Sequence, residues 1–191
     1  LLAQVLQNAE SEAKAGGQAA FRLGKLAEDR IDYRIALEYF EKAVQLAPDN
    51  SLHLNEAGVM LKTLAQYDKA IDYFNKALDS DLKTFGPDHP NVALRWNNLG
   101  AAWDNKGEYD KTIDYYNKAL DSNLKTYEAG HPQIALRWNN LGMAWNNKGE
   151  YDKAIDFYNK ALDSDLKTFG PDHPNVALRW NNLGAAWDNK G

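Results

Sequence analysis

The chain has 191 residues, a net charge of −5 and 44% apolar residues. Its length allows a buried core, and its acidic balance argues against a nucleic acid partner held through phosphate contacts. It contains no cysteine, which excludes disulfides and thiolate metal sites and fits a reducing, cytoplasmic compartment. No apolar run approaches the roughly 18 residues that a membrane-spanning helix needs. The first residue is leucine rather than methionine, which is typical of a segment cut from a longer protein.

The sequence repeats itself at a fixed period. The segment ALRWNNLGAAWDNKG occupies 93–107 and 177–191, and the near copy ALRWNNLGMAWNNKG occupies 135–149, so the copies start 42 residues apart. A period between about 20 and 50 residues indicates an architecture in which each unit covers its neighbour's apolar face.

Taken in chain order, the sequence predicts an N-terminal helix followed by a series of helical hairpin units. The N-terminal helix is interpreted as the remnant of a preceding unit or as a cap over the end of the array. The first full unit has 34 residues, the next three have 42, and the last is a first helix alone. The predicted boundaries are 1–16 for the N-terminal helix, 17–50, 51–92, 93–134 and 135–176 for the four units, and 177–191 for the last helix.

Each 42-residue unit predicts two antiparallel helices. In the first, apolar residues recur with helical spacing over 92–103, Pro90 suits the first turn, and Asp88 or His89 can cap it. Gly107 marks the end of this helix. A second apolar stripe follows over 109–127, and the short connection between the two stripes requires a hairpin.

The pattern W-x2-L-G-x2-W…A-x3-Y/F-x2-A resembles the tetratricopeptide repeat. Its 42-residue form, with GPDHPNVA and NNLG, resembles the kinesin-light-chain and nephrocystin type of this repeat. The resemblance implies an all-α, right-handed superhelical solenoid of antiparallel helix hairpins. The signature in 135–176 consists of Trp138, Leu141, Gly142, Trp145, Ala154, Tyr158 and Ala161.

All six tryptophans lie in the repeated first helices. They share a helical stripe with leucine and glycine, so we predict that they pack in the core rather than stack on a ligand. Asparagines follow the first tryptophan of each unit and lie off this stripe. Asparagine is a poor residue for a helix interior, because its side chain competes for backbone hydrogen bonds, so its recurrence requires a reason.

Two interpretations of these asparagines remain open. The family resemblance implies that they line a concave groove, where their amides would bind the backbone of an extended peptide. Alternatively, they bond one another between first helices that pack about 8–10 Å apart. The candidate groove residues are Asn55, Asn97, Asn98, Asp104, Asn105, Asn139, Asn140, Asn146, Asn147, Asn181 and Asn182.

The sequence contains no recognisable catalytic or phosphate-binding motif. Three of the four histidines recur once per unit at the start of a first helix, which predicts helix-start residues rather than metal ligands. Basic residues at groove positions are few, so a clamp for acidic carboxyl-terminal peptides is not expected. They are Arg22, Lys25 and Lys62.

The leading hypothesis is a non-enzymatic scaffold that binds a peptide or protein segment along the first helices. It needs no cofactor or metal, and neither a nucleic acid nor a membrane is an expected partner. The alternative is a structural module that self-associates through 174–191, because the apolar stripe of this segment has no second helix following it in the sequence.

Overall fold

Helices form where the sequence carries its periodic apolar stripes. The computed structural model describes the backbone of residues 2–191 and the side chains of all of them except Leu2, Ala3 and Leu6. Over these residues it contains nine α-helices and no strand, which confirms the all-α prediction. The helices are α1 (Leu2–Asp29), α2 (Tyr33–Leu46), α3 (Ser51–Thr63), α4 (Tyr67–Phe85), α5 (Pro90–Asn105), α6 (Tyr109–Thr126), α7 (Pro132–Asn147), α8 (Tyr151–Phe169) and α9 (Pro174–Lys190).

The chain divides into two compact units. In the first, which ends at Thr84, α1 packs against α2 and α2 packs against α3. In the second, Phe85–Gly191, α5 pairs with α6 and α7 pairs with α8. Contacts of α6 with α7 and of α8 with α9 join successive hairpins of this second unit.

In each hairpin of the second unit, a glycine in the first helix lets an aromatic ring of the second helix approach its backbone. A Cβ built at Gly100 would lie 2.5 Å from the Tyr116 ring, and one built at Gly142 would lie 2.6 Å from the Tyr158 ring. Burial raises the pKa of Tyr158 to about 12, because its ionised form would lose its solvation. The buried side chains around Tyr158 are Ala154, Ile155, Leu162, Val176, Leu183 and Ala186.

Each hairpin of the second unit turns through a glycine in the left-handed conformation. The φ angle is 75° at Gly107 and 85° at Gly149. After α5, the N–H of Gly107 donates to the Asp104 carbonyl and the N–H of Glu108 donates to the Trp103 carbonyl. These two bonds satisfy carbonyls at the helix end, and glycine adopts this φ without a steric penalty.

Histidines cap the first helices of the second unit: His89, His131 and His173. Each Nδ1 accepts a hydrogen bond of 3.2 Å from the backbone N–H two residues further on. Each ring also stacks on the aromatic side chain four residues earlier, with centroids 3.9–4.2 Å apart. The cap of α5 is therefore His89 and not Asp88, the other residue that the sequence allowed.

The N-terminal segment differs from the prediction of a separate helix over 1–16. Helix α1 continues without a break from Leu2 to Asp29, and Leu1 lies outside the described residues. The helix continues through Gly16 and Gly17, which pack closely on the second helix of the hairpin. A Cβ at Gly16 would lie 3.3 Å from Leu46, so the absence of a side chain suits this contact. Residues 2–16 therefore extend the first helix of the first hairpin.

Candidate functional site

Asparagine side chains connect the first helices of the second unit. Asn140 Nδ2 donates to Asn97 Oδ1 between α7 and α5 at 2.8 Å. Asn182 Nδ2 donates to Asn139 Oδ1 between α9 and α7, also at 2.8 Å. Each bond joins the second asparagine of one repeat to the first asparagine of the repeat before it. We call these four residues the amide ladder.

A second set of polar contacts joins the same helices near their carboxyl ends. Asn147 Nδ2 donates to the Asp104 carboxylate, with oxygens at 3.2 and 3.4 Å. Asn189 Nδ2 donates to Asn146 Oδ1 at 3.2 Å. The structure thus brings Asp104, Asn146 and Asn147 into contacts between repeats, as it does the amide ladder. Asn189 was not among the predicted site residues.

The other predicted asparagines have different surroundings. Asn55 belongs to the first unit, where it is buried and donates to Glu56 Oε1 at 3.0 Å. Asn105 Nδ2 donates back to the Ala101 carbonyl of its own helix at 2.8 Å. Asn98 is half-buried and Asn181 is exposed.

A buried arginine supports the first rung of the amide ladder. Arg137 Nη1 donates to Asn97 Oδ1 at 2.7 Å, and Nη2 donates to Gln133 Oε1 at 3.1 Å. The residue is only 4% exposed, and burial lowers the pKa of Arg137 because the charged guanidinium loses its solvation. The Asn97 oxygen therefore accepts from both a guanidinium and an amide, which holds its side chain in one orientation.

The equivalent arginine one repeat later has a carboxylate partner. Arg179 Nε donates to Asp165 Oδ2 at 2.9 Å, and these side chains are 4% and 1% exposed. The position equivalent to Asp165 in the preceding repeat holds Asn123, whose Nδ2 is buried without a hydrogen-bond partner. Sequence reasoning missed these arginines. The signal available in the sequence was the recurrence of one arginine directly before the first tryptophan of each first helix in the second unit.

Apolar side chains lie exposed on the same helices as the amide ladder. Leu94 on α5, Leu136 on α7 and Leu178 on α9 are 40%, 36% and 49% exposed, and Met143 on α7 is 44% exposed. Each leucine precedes the first asparagine of its repeat by three residues, which places the two on neighbouring turns of one helix face. We call the surface made by these four apolar side chains and the amide ladder the first-helix face.

The tryptophans differ in burial along the second unit. Trp138 and Trp145 are half-buried and pack on the core, whereas Trp180 and Trp187 on α9 are 54% and 52% exposed. Core packing is therefore correct for the first pair but not for the pair on α9, where no described helix follows to cover them. Lysines add to the packing of Trp145, with Lys148 and Lys153 ammonium groups 5.3 and 4.3 Å from its ring centroid.

The predicted basic groove residues are few and partly neutralised. Lys25 pairs with Glu28 at 2.5 Å and with Glu56 at 3.0 Å. Burial lowers the pKa of Lys62. Among the described residues, no group of three or more histidines and carboxylates is placed to hold a metal ion. No helix within residues 2–191 has the length and apolar character needed to cross a membrane.

Comparison with known proteins identifies the class of this repeat protein. Models of the tetratricopeptide repeat match residues 17–50, 50–125, 103–162 and 134–186. The chain therefore belongs to the tetratricopeptide repeat family, whose members are generally non-catalytic scaffolds for protein interactions. A comparison with curated proteins gave no match.

Several solved structures share the fold. One is a candidate kinesin light chain from Podosopora anserina with nearly identical TPR-like repeats, at 16% identity and a TM-score of 0.79, covering 91% of this chain and 86% of that one. BtubC (BKLC) from P. vanneervenii is 18% identical with a TM-score of 0.78, over 97% of this chain and 84% of that one. The MamA protein is 22% identical with a TM-score of 0.67, over 92% and 83%. These neighbours confirm the predicted solenoid of helix hairpins.

Proposed function

We propose that the first-helix face of the second unit binds an extended segment of a partner protein. The observation that carries the proposal is the row of exposed apolar side chains, one or more per first helix, beside hydrogen-bonded amides. Leucine and methionine supply apolar contact area, and the amides supply donors and acceptors for a peptide backbone. Because these side chains stand on packed helices, little conformational entropy is lost when a ligand binds.

The repeat geometry also suggests the form of the ligand. Adjacent first helices pack roughly 10 Å apart, so equivalent leucines recur at about that interval. A polyproline II segment rises ~3.1 Å per residue with three residues per turn, so every third side chain lies on one face about 9 Å further along. The ligand that fits best is an extended segment with an apolar side chain at every third position. We expect successive apolar side chains of such a segment to contact Leu94, Leu136 and Leu178.

The first prediction concerns the apolar part of this face. We expect the Leu136→Ser, Met143→Ser double variant to bind a peptide selected from a display library at least about tenfold more weakly, because it loses buried apolar area. Fluorescence anisotropy with the labelled peptide measures the affinity. The control is Leu124→Ser on α6, whose side chain is 50% exposed on a second helix. Equal affinity of both variants would place the binding surface elsewhere.

The amides can be tested separately from the apolar side chains. The Asn97→Ala, Asn139→Ala variant removes both acceptors of the amide ladder and should lower the unfolding free energy by about 1 kcal/mol for each bond lost. If the amides also contact the ligand, this variant binds more weakly even at temperatures where it is fully folded. Unchanged affinity with reduced stability would assign the amide ladder to bonding between repeats alone.

A second candidate function is self-association through α9, which a specific observation favours. A Cβ at Gly184 would meet no atom within 4 Å, whereas its counterparts at Gly100 and Gly142 would meet a tyrosine ring. The two exposed tryptophans of α9 flank this open position. Burying such a face at about 25 cal/mol per Å² can drive association of two chains, in which closed two-fold pairing is the commoner outcome.

The second prediction tests this association. We expect sedimentation equilibrium to give a mass that rises with concentration for the 191-residue chain. Adding the sequence EYDKAIDFYNKALDSDLKTFG, copied from 150–170, after Gly191 should cover the α9 face and reduce the association. A chain that stays monomeric at millimolar concentration, or an extended chain that associates equally, would contradict the role of α9.

A further inference from the structure

A depression lies between α8 and the loop that precedes α7. It has a volume of about 540 Å³, and its lining includes Gly130, Trp138, Lys160, Asp163, Ser164 and Lys167. This volume falls within the range of small-ligand sites, which is about 300–1,000 Å³. We call it the junction pocket. It is built from the loop and helices of the second unit and uses none of the residues of the first-helix face.

In the preceding repeat the equivalent side chains are hydrogen-bonded to the loop. There, Lys125 Nζ pairs with Asp88 Oδ1 at 3.1 Å, and Ser122 Oγ donates to the Pro87 carbonyl at 3.3 Å. Thr126 Oγ1 donates to the Asp88 carbonyl at 2.6 Å. The loop before α5 therefore supplies both a carboxylate for Lys125 and an acceptor for Ser122.

The loop of the junction pocket has a different sequence and makes fewer of these contacts. Ala129 and Gly130 occupy the positions of proline and aspartate, and Glu128, the carboxylate that this loop carries, does not line the pocket. The threonine contact is retained, with Thr168 Oγ1 donating to the Gly130 carbonyl at 3.0 Å. The serine contact is lost, because the Ser164 hydroxyl has no hydrogen-bond partner although the residue is only 8% exposed. A buried hydroxyl without a partner is costly and indicates a missing polar group.

The charge of the pocket lining indicates that the missing polar group is negatively charged. Two lysines and one aspartate line the pocket, so the charged side chains of the lining sum to +1. The equivalent side chains of the preceding repeat are balanced by the loop aspartate. The Trp138 indole supplies an apolar wall beside these lysines.

We propose that the junction pocket binds the carboxylate side chain of an aspartate or glutamate from a partner protein. One carboxylate oxygen accepts from Lys167, as Asp88 accepts from Lys125 in the preceding repeat. The other oxygen accepts from the Ser164 hydroxyl, whose counterpart Ser122 donates to the Pro87 carbonyl. The methylene groups of the ligand lie against Trp138. The proposal stands independently of the peptide-binding proposal, because the two surfaces share no residue.

The test uses a probe that carries one side-chain carboxylate, N-acetyl-aspartate amide, with N-acetyl-asparagine amide as its neutral control. Titration of the ¹⁵N-labelled full chain should shift the Trp138 indole N–H signal saturably in the millimolar range, as expected for a ligand of this size. The neutral control should produce no saturable shift. Lys167→Gln should weaken binding at least about tenfold, because a charge-assisted hydrogen bond is lost. Lys125→Gln, the same change one repeat earlier, should leave binding unchanged.

Exchanging the two loops provides a reciprocal test. Replacing YEAGHP at 127–132 by FGPDHP should provide Lys167 with an internal carboxylate and abolish the response of Trp138. This exchange also moves the left-handed glycine to its position in the donor loop, where Gly86 has a φ of 80°. The converse exchange at 85–90 should make the Trp96 signal respond to the probe.

Three results with the aspartate probe or its asparagine control would overturn the proposal. They are no saturable shift of Trp138, an equal response to the asparagine control, and a response that Lys167→Gln leaves unchanged. A response to inorganic phosphate without one to N-acetyl-aspartate amide would also overturn it, because the site would then select a different anion. Lys167 is exposed, so Lys167→Gln should fold normally. This variant therefore tests the proposal even if a loop exchange fails to fold.

Discussion

Asp165→Asn is expected to lower the unfolding free energy of the second unit by about 3 kcal/mol. The substitution leaves the Arg179 guanidinium buried without a counterion, and removal of one partner of a buried ion pair typically costs about 3–5 kcal/mol. The lower end of this range applies because the amide oxygen can still accept the Nε hydrogen bond. Urea denaturation followed by circular dichroism measures the loss.

Two further variants make this experiment specific. Asp156→Asn removes an exposed carboxylate from the same helix and should change the unfolding free energy by less than about 0.5 kcal/mol. Asn123→Asp introduces a carboxylate at the equivalent position one repeat earlier and should raise the denaturation midpoint. The equivalent arginine there, Arg137, donates to the amide oxygens of Asn97 and Gln133. Equal stability of Asp165→Asn and the original chain would show that the buried pair contributes nothing net.

Gly142→Ala and Gly184→Ala are expected to change stability in opposite directions. The two glycines occupy equivalent helix positions, but a Cβ at Gly142 would lie 2.6 Å from the buried Tyr158 ring, and one at Gly184 would meet nothing within 4 Å. Overpacking costs about 1–3 kcal/mol, and this outweighs the roughly 0.5–1 kcal/mol that alanine gains over glycine in a helix interior. At Gly184 there is no overpacking, so only the stabilisation by alanine remains.

Thermal and urea denaturation at low protein concentration measure both effects without interference from association. The Gly142→Ala variant should unfold at a lower midpoint and the Gly184→Ala variant at a higher one. Gly184→Ala should also weaken any self-association that places an aromatic ring on α9, because the new methyl group fills the space. Destabilisation by both substitutions would mean that another group covers Gly184.

The hairpin units are local features, and the sequence alone predicts them well. Proline and histidine at the helix starts, glycine at the hairpin turns and apolar stripes of helical period all act within a few residues of where they stand. The signature over 135–176 also indicates the repeat family. The one clear difference, the continuous helix α1, arises because glycine weakens a helix but does not end it when packing against a neighbouring helix compensates.

The site depends on contacts between repeats, which sequence patterns describe poorly. The sequence leaves open whether the asparagines face a ligand or one another. The structure shows that Asn97 and Asn140 bond each other, because adjacent first helices bring residues one repeat apart within hydrogen-bond distance. It also shows that near-identical repeats differ in burial, so that Trp145 packs on the core while Trp187 is exposed.

The sequence by itself determined the class of fold and the repeat period, because both follow from short-range preferences that recur in every unit. Only the tertiary structure decided which polar groups are paired, which glycines are in close contact and where a buried hydroxyl lacks a partner. Near copies such as Gly142 and Gly184 have almost the same neighbours in sequence but different neighbours in space. The physical reason is that burial and hydrogen bonding depend on the adjacent repeat, and the adjacent repeat differs at each position along the array.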